Sequence, residues 1–182
     1  IYIIKNMKKT VFINLFGGPG SGKSTLCSII FSDLKMRHID CEMALEYAKD
    51  VVWDESFRKL ANQIYIFGKQ HSRLYRLNGK VDVVITDSPL LNSIIYDDSK
   101  NQELKQLVLS EFKKLNILNY FVDRKFKYEQ NGRVQNYEGA LEKDNYYRKL
   151  LSENDIAYKN VNPGLENLSL IVEDVLNKLK GG

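Results

Sequence analysis

Only two cysteines, Cys27 and Cys41, occur in the 182 residues. Two are too few for a disulfide framework, and neither falls in a metal-ligand spacing, so neither cross-links nor a cysteine-held metal organises this chain. Cys27 falls within the first helix and reads as a small buried hydrophobe. Long apolar runs are missing as well. No stretch approaches the ~18 residues of a membrane span, and no signal peptide is recognisable, so the expectation is a reducing cytoplasm and no membrane partner. Charge of one sign is also scarce: the net +4 is too mild to argue by itself for nucleic acid. Internal repeats, linkers and low-complexity segments are absent. What remains is an ordinary 43% hydrophobic content, enough to give one domain an ample core. Residues 1–8 are set apart as an N-terminal extension, because Ile1 to Asn6 precede the first methionine, Met7. The expected domain runs over 9–182.

Against that background one segment stands out: Gly17-Gly18-Pro19-Gly20-Ser21-Gly22-Lys23-Ser24-Thr25. It spells the phosphate-binding loop G-x-x-x-x-G-K-[ST]. Its glycines let the backbone turn its N–H groups inward around a polyphosphate, where side chains would obstruct it. Lys23 supplies a mobile charge for the β- and γ-phosphates, and the Ser24 hydroxyl can ligate Mg²⁺. A chance match in a chain this long is on the order of one in a hundred. The apolar run Val11 to Phe16 upstream suits a buried parallel strand. Downstream, Leu26, Ile29, Ile30 and Leu34 recur at helical spacing, so the loop opens a helix whose N-terminus faces the phosphates. The expectation is a nucleoside triphosphate bound with Mg²⁺ through Gly18, Pro19, Gly20, Ser21, Gly22, Lys23, Ser24 and Thr25.

Strand-like runs then alternate with helical patterns. Cys41 to Leu45 reads as a second strand. A long helix is expected over Glu55 to Leu77, with Asp54 as N-cap and Asn78-Gly79 at its end. Phe57, Leu60, Ile64, Phe67, His71 and Leu74 form its apolar stripe. Val81 to Thr86 is a third strand, after which Ser88-Pro89 reads as a helix cap with proline at the first position. Ser99 with Gln102 makes a capping-box start for a helix bearing Leu104, Leu107, Val108 and Leu115. Ile117 to Val122 and Ala157 to Val161 are the fourth and fifth strands. Asn162-Pro163 starts a final helix with Leu165, Leu168, Ile171, Val172, Val175 and Leu179 inward. Such alternation implies α/β architecture, a parallel sheet covered on both faces.

In such sheets ligands bind beyond the carboxyl ends of the strands. Asp87 directly follows the third strand, where a phosphate-loop protein places the carboxylate on the Mg²⁺ side; the plainer reading is a turn or cap aspartate. Glu46, near the end of the second strand, can face the γ-phosphate and take a proton from an attacking hydroxyl, or serve only as a solvated helix-start glutamate. Asp40 and Glu42 compete for the same role. After the fourth strand comes a basic, polar segment, about 123–137, with Asn131-Gly132 as a turn. Closing it as a lid would bring Arg124 and Arg133 over the transferring oxygens. The bland alternative is a solvated loop.

Three further blocks accompany the phosphate loop in order: Glu46-Tyr47-Ala48-Lys49, Lys80 to Leu90, and Asn131-Gly132-Arg133. Together they resemble a family of small phage and bacterial P-loop ATPases, of AAA type, related to the nicotinamide-riboside kinase domain. The resemblance runs from about Lys9 to the C-terminus. It implies a P-loop NTPase fold with a five-stranded sheet of order 2-3-1-4-5, a lid after the fourth strand, and an acceptor opposite the phosphate loop. By position, Glu46 resembles the acidic residue beside the acceptor, Asp87 the Mg²⁺-side aspartate and Arg133 the lid arginine. The acceptor-binding residues of nicotinamide-riboside kinases have no evident counterpart here. Nor is there an arginine-finger region or extra helical domain of the ring-forming motor ATPases.

The reading that follows is a kinase dependent on ATP and Mg²⁺ that phosphorylates a hydroxyl of a nucleoside- or nucleotide-like acceptor. Lys23, Glu46, Asp87, Arg124 and Arg133 are its catalytic candidates, and Ser24 and Asp87 its metal ligands. The absence of an Asn-Lys-x-Asp motif favours ATP over GTP. Gln63, Gln70 and Arg73 lie beside the long helix's stripe, within reach of a base or sugar, and Trp53, Tyr65 and Tyr75 offer stacking surface, although an ordinary packing or surface role is the better reading for most of them. His71 reads as a satisfied core or cleft-edge histidine. Two alternatives stay open. One is a kinase for a hydroxymethylated pyrimidine in phage DNA, with Tyr137, Tyr146, Tyr147 and Arg148 serving an extruded base. The other is an ATP-hydrolysing switch that controls a protein partner.

Overall fold

The computed structural model describes residues 9–125 and 136–181. Its sheet has five parallel strands in the order β2-β3-β1-β4-β5. These are β1 (Val11–Phe16), β2 (Cys41–Met43), β3 (Val83–Thr86), β4 (Asn116–Val122) and β5 (Lys159–Val161). All six residues of the central β1 are buried, as a strand covered on both faces must be. Alternation divides them. Val11, Ile13 and Leu15 pack with α1 (Lys23–Met36) and α8 (Leu168–Lys180) on one face. Phe12 and Phe16 join the opposite core, with α4 (Gln63–Tyr75), α6 (Gln102–Lys113) and α7 (Tyr137–Glu153). Asn14 is buried between them. Its Nδ2 donates to Asn119 Oδ1 at 3.0 Å, and Asn119 Nδ2 donates to the Ala157 carbonyl at 3.1 Å, which meets the cost of burying the amides.

The sheet has the strand order and the two covered faces that the sequence leads one to expect, but several helix boundaries differ. The long helix over Glu55 to Leu77 is replaced by α3 (Phe57–Ala61) and α4, preceded by α2 (Tyr47–Trp53). Asp54 ends α2 rather than capping a helix, and Glu55 turns the chain at φ 52°. Asn62 is the cap that starts α4, its side chain accepting from Tyr65 N at 3.1 Å. The break shifts the buried face. Gln63, Ile66, Phe67, Gln70 and Leu74 point inward, whereas Phe57 and Ile64 are exposed.

Asn101, not Ser99, caps α6, because Ser99 is engaged by Asp97. No helix starts at Pro89; a turn leads to the four-residue α5 (Asn92–Ile95). Asn162-Pro163 precedes a single 3₁₀ turn, Leu165–Asn167, before α8, which leaves Leu165 exposed. The 17-residue α7 has no counterpart in the sequence reading, which placed part of this region in the lid. Among the described residues, no helix is long and apolar enough to cross a membrane.

Candidate functional site

The strand order makes neighbours of three segments far apart in sequence. The loop 17–22 leaves the carboxyl end of β1, Asp87 follows β3, and Glu46 lies three residues past the end of β2. Because β2, β3 and β1 are adjacent and parallel, all three emerge on one edge. Arg124 follows β4 on the same edge.

The loop has the backbone its composition calls for. Gly22 sits at φ 96° and ψ 13°, a left-handed conformation that turns the chain into α1 without strain only in glycine. At Gly18 the reason is space, since a Cβ would collide with the Ala140 carbonyl of α7. Lys23 folds its ammonium over the loop, donating to the Gly17 carbonyl at 2.7 Å and the Gly18 carbonyl at 2.8 Å. Burial lowers its pKa, opposed by the carboxylates of Glu46, Asp87 and Asp144. Ser21 Oγ is buried under the loop and has no partner among the described residues.

Asp87 is nearly buried and spans two elements. Its Oδ2 accepts from Ser24 Oγ at 2.5 Å, and its Oδ1 accepts from Glu46 N at 3.1 Å. A hydroxyl and a carboxylate side by side are hard oxygen donors suited to Mg²⁺, which typically takes one or two protein ligands and fills its octahedron with phosphate oxygens and water. No group of three or more acidic, histidine or cysteine side chains suited to a metal occurs among the described residues.

Glu46 begins α2, yet its side chain makes no capping hydrogen bond. Burial, and next the nearby Asp87 carboxylate, push its carboxyl up to about 7, while Lys23 and Lys49 pull against them. A carboxyl that titrates near neutrality can take a proton from a hydroxyl and release it again. The competing carboxylates lie elsewhere. Glu42 is half exposed and pairs with Lys35 at 3.4 Å, and Asp40 precedes β2, with its carbonyl tied to Asp82 N and Val83 N at the opposite edge of the sheet.

Glu46, Lys23, Ser24 and Asp87 line one cavity of about 410 Å³, within the range of small-molecule sites. Pro19, Gly20, Gly22 and Thr25 form its phosphate-loop end. Val52, Leu60 and Ile66 give it apolar walls, and Gln63, Gln70 and Asn92 give it amides. The other acceptor-side candidates are not among the residues lining it. Arg73 donates to the Leu45 carbonyl at 3.0 Å, pairs with Asp50, and lies over the Tyr47 ring. Trp53 and Tyr75 are exposed, and Tyr65 shares a hydroxyl contact with Tyr47 at 2.7 Å. His71 is 3.3 Å from Glu111 and packs between Phe67 and Tyr75. Tyr147 is fully buried with its hydroxyl on Asn92 Oδ1 at 2.7 Å, so it offers no face to an extruded base. Arg148 is committed to Asp123 at 2.8 Å and lies over the Phe121 ring.

Arg124 reaches the loop as a brace. It donates to the Pro19 carbonyl at 2.6 Å and to Asp144 Oδ2 at 2.8 Å, and Asp144 Oδ1 accepts the Gly18 N–H at 2.5 Å. Asp144 is the residue that sequence reasoning missed. Its signal was the helical recurrence of Ala140, Tyr147, Leu150 and Leu151 after the cap Asn136, weakened by the charges interspersed in α7. Arg133 and the Asn131-Gly132 turn lie outside the described residues.

Residues 12–167 match the AAA domain as a family. The solved structure of the NadR protein in complex with NR is similar in fold, with a TM-score of 0.63 at 14% identity. The match covers 96% of this chain and 52% of that one, so the chain spans about half the length of that structure. No curated protein matches the sequence.

Proposed function

This chain belongs to the AAA-domain family of P-loop ATPase-like proteins, and from that premise we propose that it is a kinase dependent on ATP and Mg²⁺. It transfers the γ-phosphoryl group to a hydroxyl of a nucleoside- or nucleotide-like acceptor. One observation carries the proposal: the cavity that begins at the phosphate loop continues past Glu46, a carboxyl held near neutrality, into a partly apolar chamber. Hydrolysis needs only a water at that place. A chamber of this size beside a base suits a second substrate.

The acceptor's hydroxyl oxygen bonds to the γ-phosphorus as the bond to the bridging β–γ oxygen breaks, and ADP leaves. Glu46 takes the hydroxyl proton. Lys23 turns its ammonium onto the β- and γ-oxygens, and Arg124 adds positive potential from the lip of the loop. Ser24 and Asp87 would hold Mg²⁺, which supplies charge neutralisation on the phosphates when bound. The resemblance assigns the lid cation to Arg133. The bound NR of the NadR structure supports an acceptor of nucleoside type.

The test is transfer of γ-label from ATP into nucleosides, nucleoside monophosphates, nicotinamide riboside, and DNA with and without hydroxymethylpyrimidines. Lys23→Ala is the control. Label in one small acceptor, lost in the variant, supports the proposal. Label in the modified DNA alone moves the acceptor to the genome. Label released only as phosphate whatever the acceptor, and abolished by Lys23→Ala, overturns the kinase and leaves an ATP-hydrolysing switch.

A further inference from the structure

One amide in the cavity wall is half used. Gln70, on the inward face of α4, is 2% exposed. Its Oε1 accepts the backbone N–H of Tyr47 at 3.0 Å. A backbone N–H can only donate, so that end of the amide must be the oxygen, and the orientation of the group is fixed. The NH₂ end therefore faces away from Tyr47. Its Nε2 is buried and has no hydrogen-bond partner, one of only two such side-chain atoms among the described residues. Buried donors are normally satisfied, and an orphan beside a cavity calls for an acceptor from the occupant. Gln70 lines the same cavity as Glu46 and Lys23.

The amide is also tied to the chemistry. The N–H it holds belongs to the residue next to Glu46, so the donor and the base share one rigid junction of α2 and α4. A molecule presenting a hydroxyl to Glu46 extends toward Gln70. Val52, Leu60 and Ile66 give that cavity apolar walls suited to the face of a flat ring. We propose that Gln70 determines acceptor specificity: its Nε2 donates to a carbonyl oxygen on the planar ring of the acceptor, whose hydroxyl-bearing portion lies at Glu46. This rests on the kinase reading above and names the class of acceptor, a ring nucleoside with a carbonyl.

Gln70→Glu isolates the donor, because one carboxylate oxygen still accepts from Tyr47 N while the NH₂ is replaced by a second oxygen. Calorimetric titrations of the full chain, saturated with a non-hydrolysable ATP analogue, use uridine, nicotinamide riboside and a phenyl C-riboside that has no carbonyl. The wild type is expected to bind at least one carbonyl-bearing nucleoside more tightly than the phenyl analogue, on the order of tenfold. Gln70→Glu is expected to erase that preference while the ATP analogue binds as before. Should Gln70→Glu not fold, Gln70→Met, an unbranched side chain of similar length, takes its place in the same comparison. Equal binding of the carbonyl nucleosides by wild type and variant would overturn the role of Gln70 and leave the kinase standing. If the wild type binds the ATP analogue but none of the three ribosides, the acceptor class fails and the role of Gln70 fails with it.

Discussion

Replacing Glu46 by glutamine should make the protein more stable and less active, and the stability gain should depend on pH in one direction. Burial and the neighbouring Asp87 raise the Glu46 carboxyl from 4.5 to about 7. Below 4.5 it is protonated whether the chain is folded or not, and it costs nothing extra. As pH rises from 4.5, the unfolded chain ionises first and the folded carboxyl resists, so stability falls until ionisation of the folded form near 7, after which the penalty is constant. At 1.36 kcal/mol per pKa unit, the full penalty is about 3 kcal/mol, an upper bound because the cavity is open to water. Glutamine cannot ionise and escapes it.

Urea unfolding of both proteins, at intervals from pH 4 to 8, measures the difference directly. The variant's advantage over wild type should grow across that interval and level off above 7, a midpoint difference of about 1–2 M at ordinary urea sensitivity. The phosphoryl-transfer rate should move the other way and drop by about 10²–10⁴ in Glu46→Gln, with wild-type kcat/KM rising through pH 7. Parallel stability curves at all pH values would refute the raised carboxyl. Full activity in the variant would refute its role as base.

Asp144→Asn should destabilise the protein by about 3 kcal/mol, because Arg124 loses its carboxylate in a pair that is 10% and 15% exposed. Chemical denaturation measures this loss, and an unchanged midpoint would show that the pair is not structural. Gly18→Ala should weaken nucleotide affinity severalfold or more, since the added methyl meets Ala140 and Asp144 and must push α7 from the loop. Titration with an ATP analogue reads it out, and wild-type affinity would mean that the loop has room to spare.

The centre of the sheet was legible in the sequence because β1 and β3 are apolar runs buried along their whole length, and β1 with its loop is the plainest example. Asp87 and Glu46 were legible as candidates because strand ends converge by topology. What resisted was the wall of the cavity. Gln63 and Gln70 face inward on α4 while Ile64 faces out, the reverse of what polarity alone directs. The helix break at Asn62 was hidden for a similar reason, since Leu60, Ile64 and Phe67 continue a plausible stripe through it. Asp144 escaped because its partner, the Gly18 N–H, belongs to a motif whose inward-facing N–H groups are expected to meet phosphate.

These misreadings share a location with the protein's unmet polar groups. Ser21 Oγ under the phosphate loop and Gln70 Nε2 in the chamber are the two buried side-chain atoms left without partners among the described residues. Lys23 is held below its ordinary pKa and Glu46 above its own in the same cavity. A sequence selected only to fold would remove such conflicts, most simply by apolar residues at 46 and 70. Lys23, Glu46 and Gln70 all line one cavity, and Ser21 belongs to the phosphate loop at its end. The proposed two-substrate site has a use for three parts: the cationic and hydroxyl groups of the phosphate loop, the titratable carboxyl of Glu46 and the unpartnered donor of Gln70. A site that only hydrolysed ATP would have use for the first two parts and none for the third.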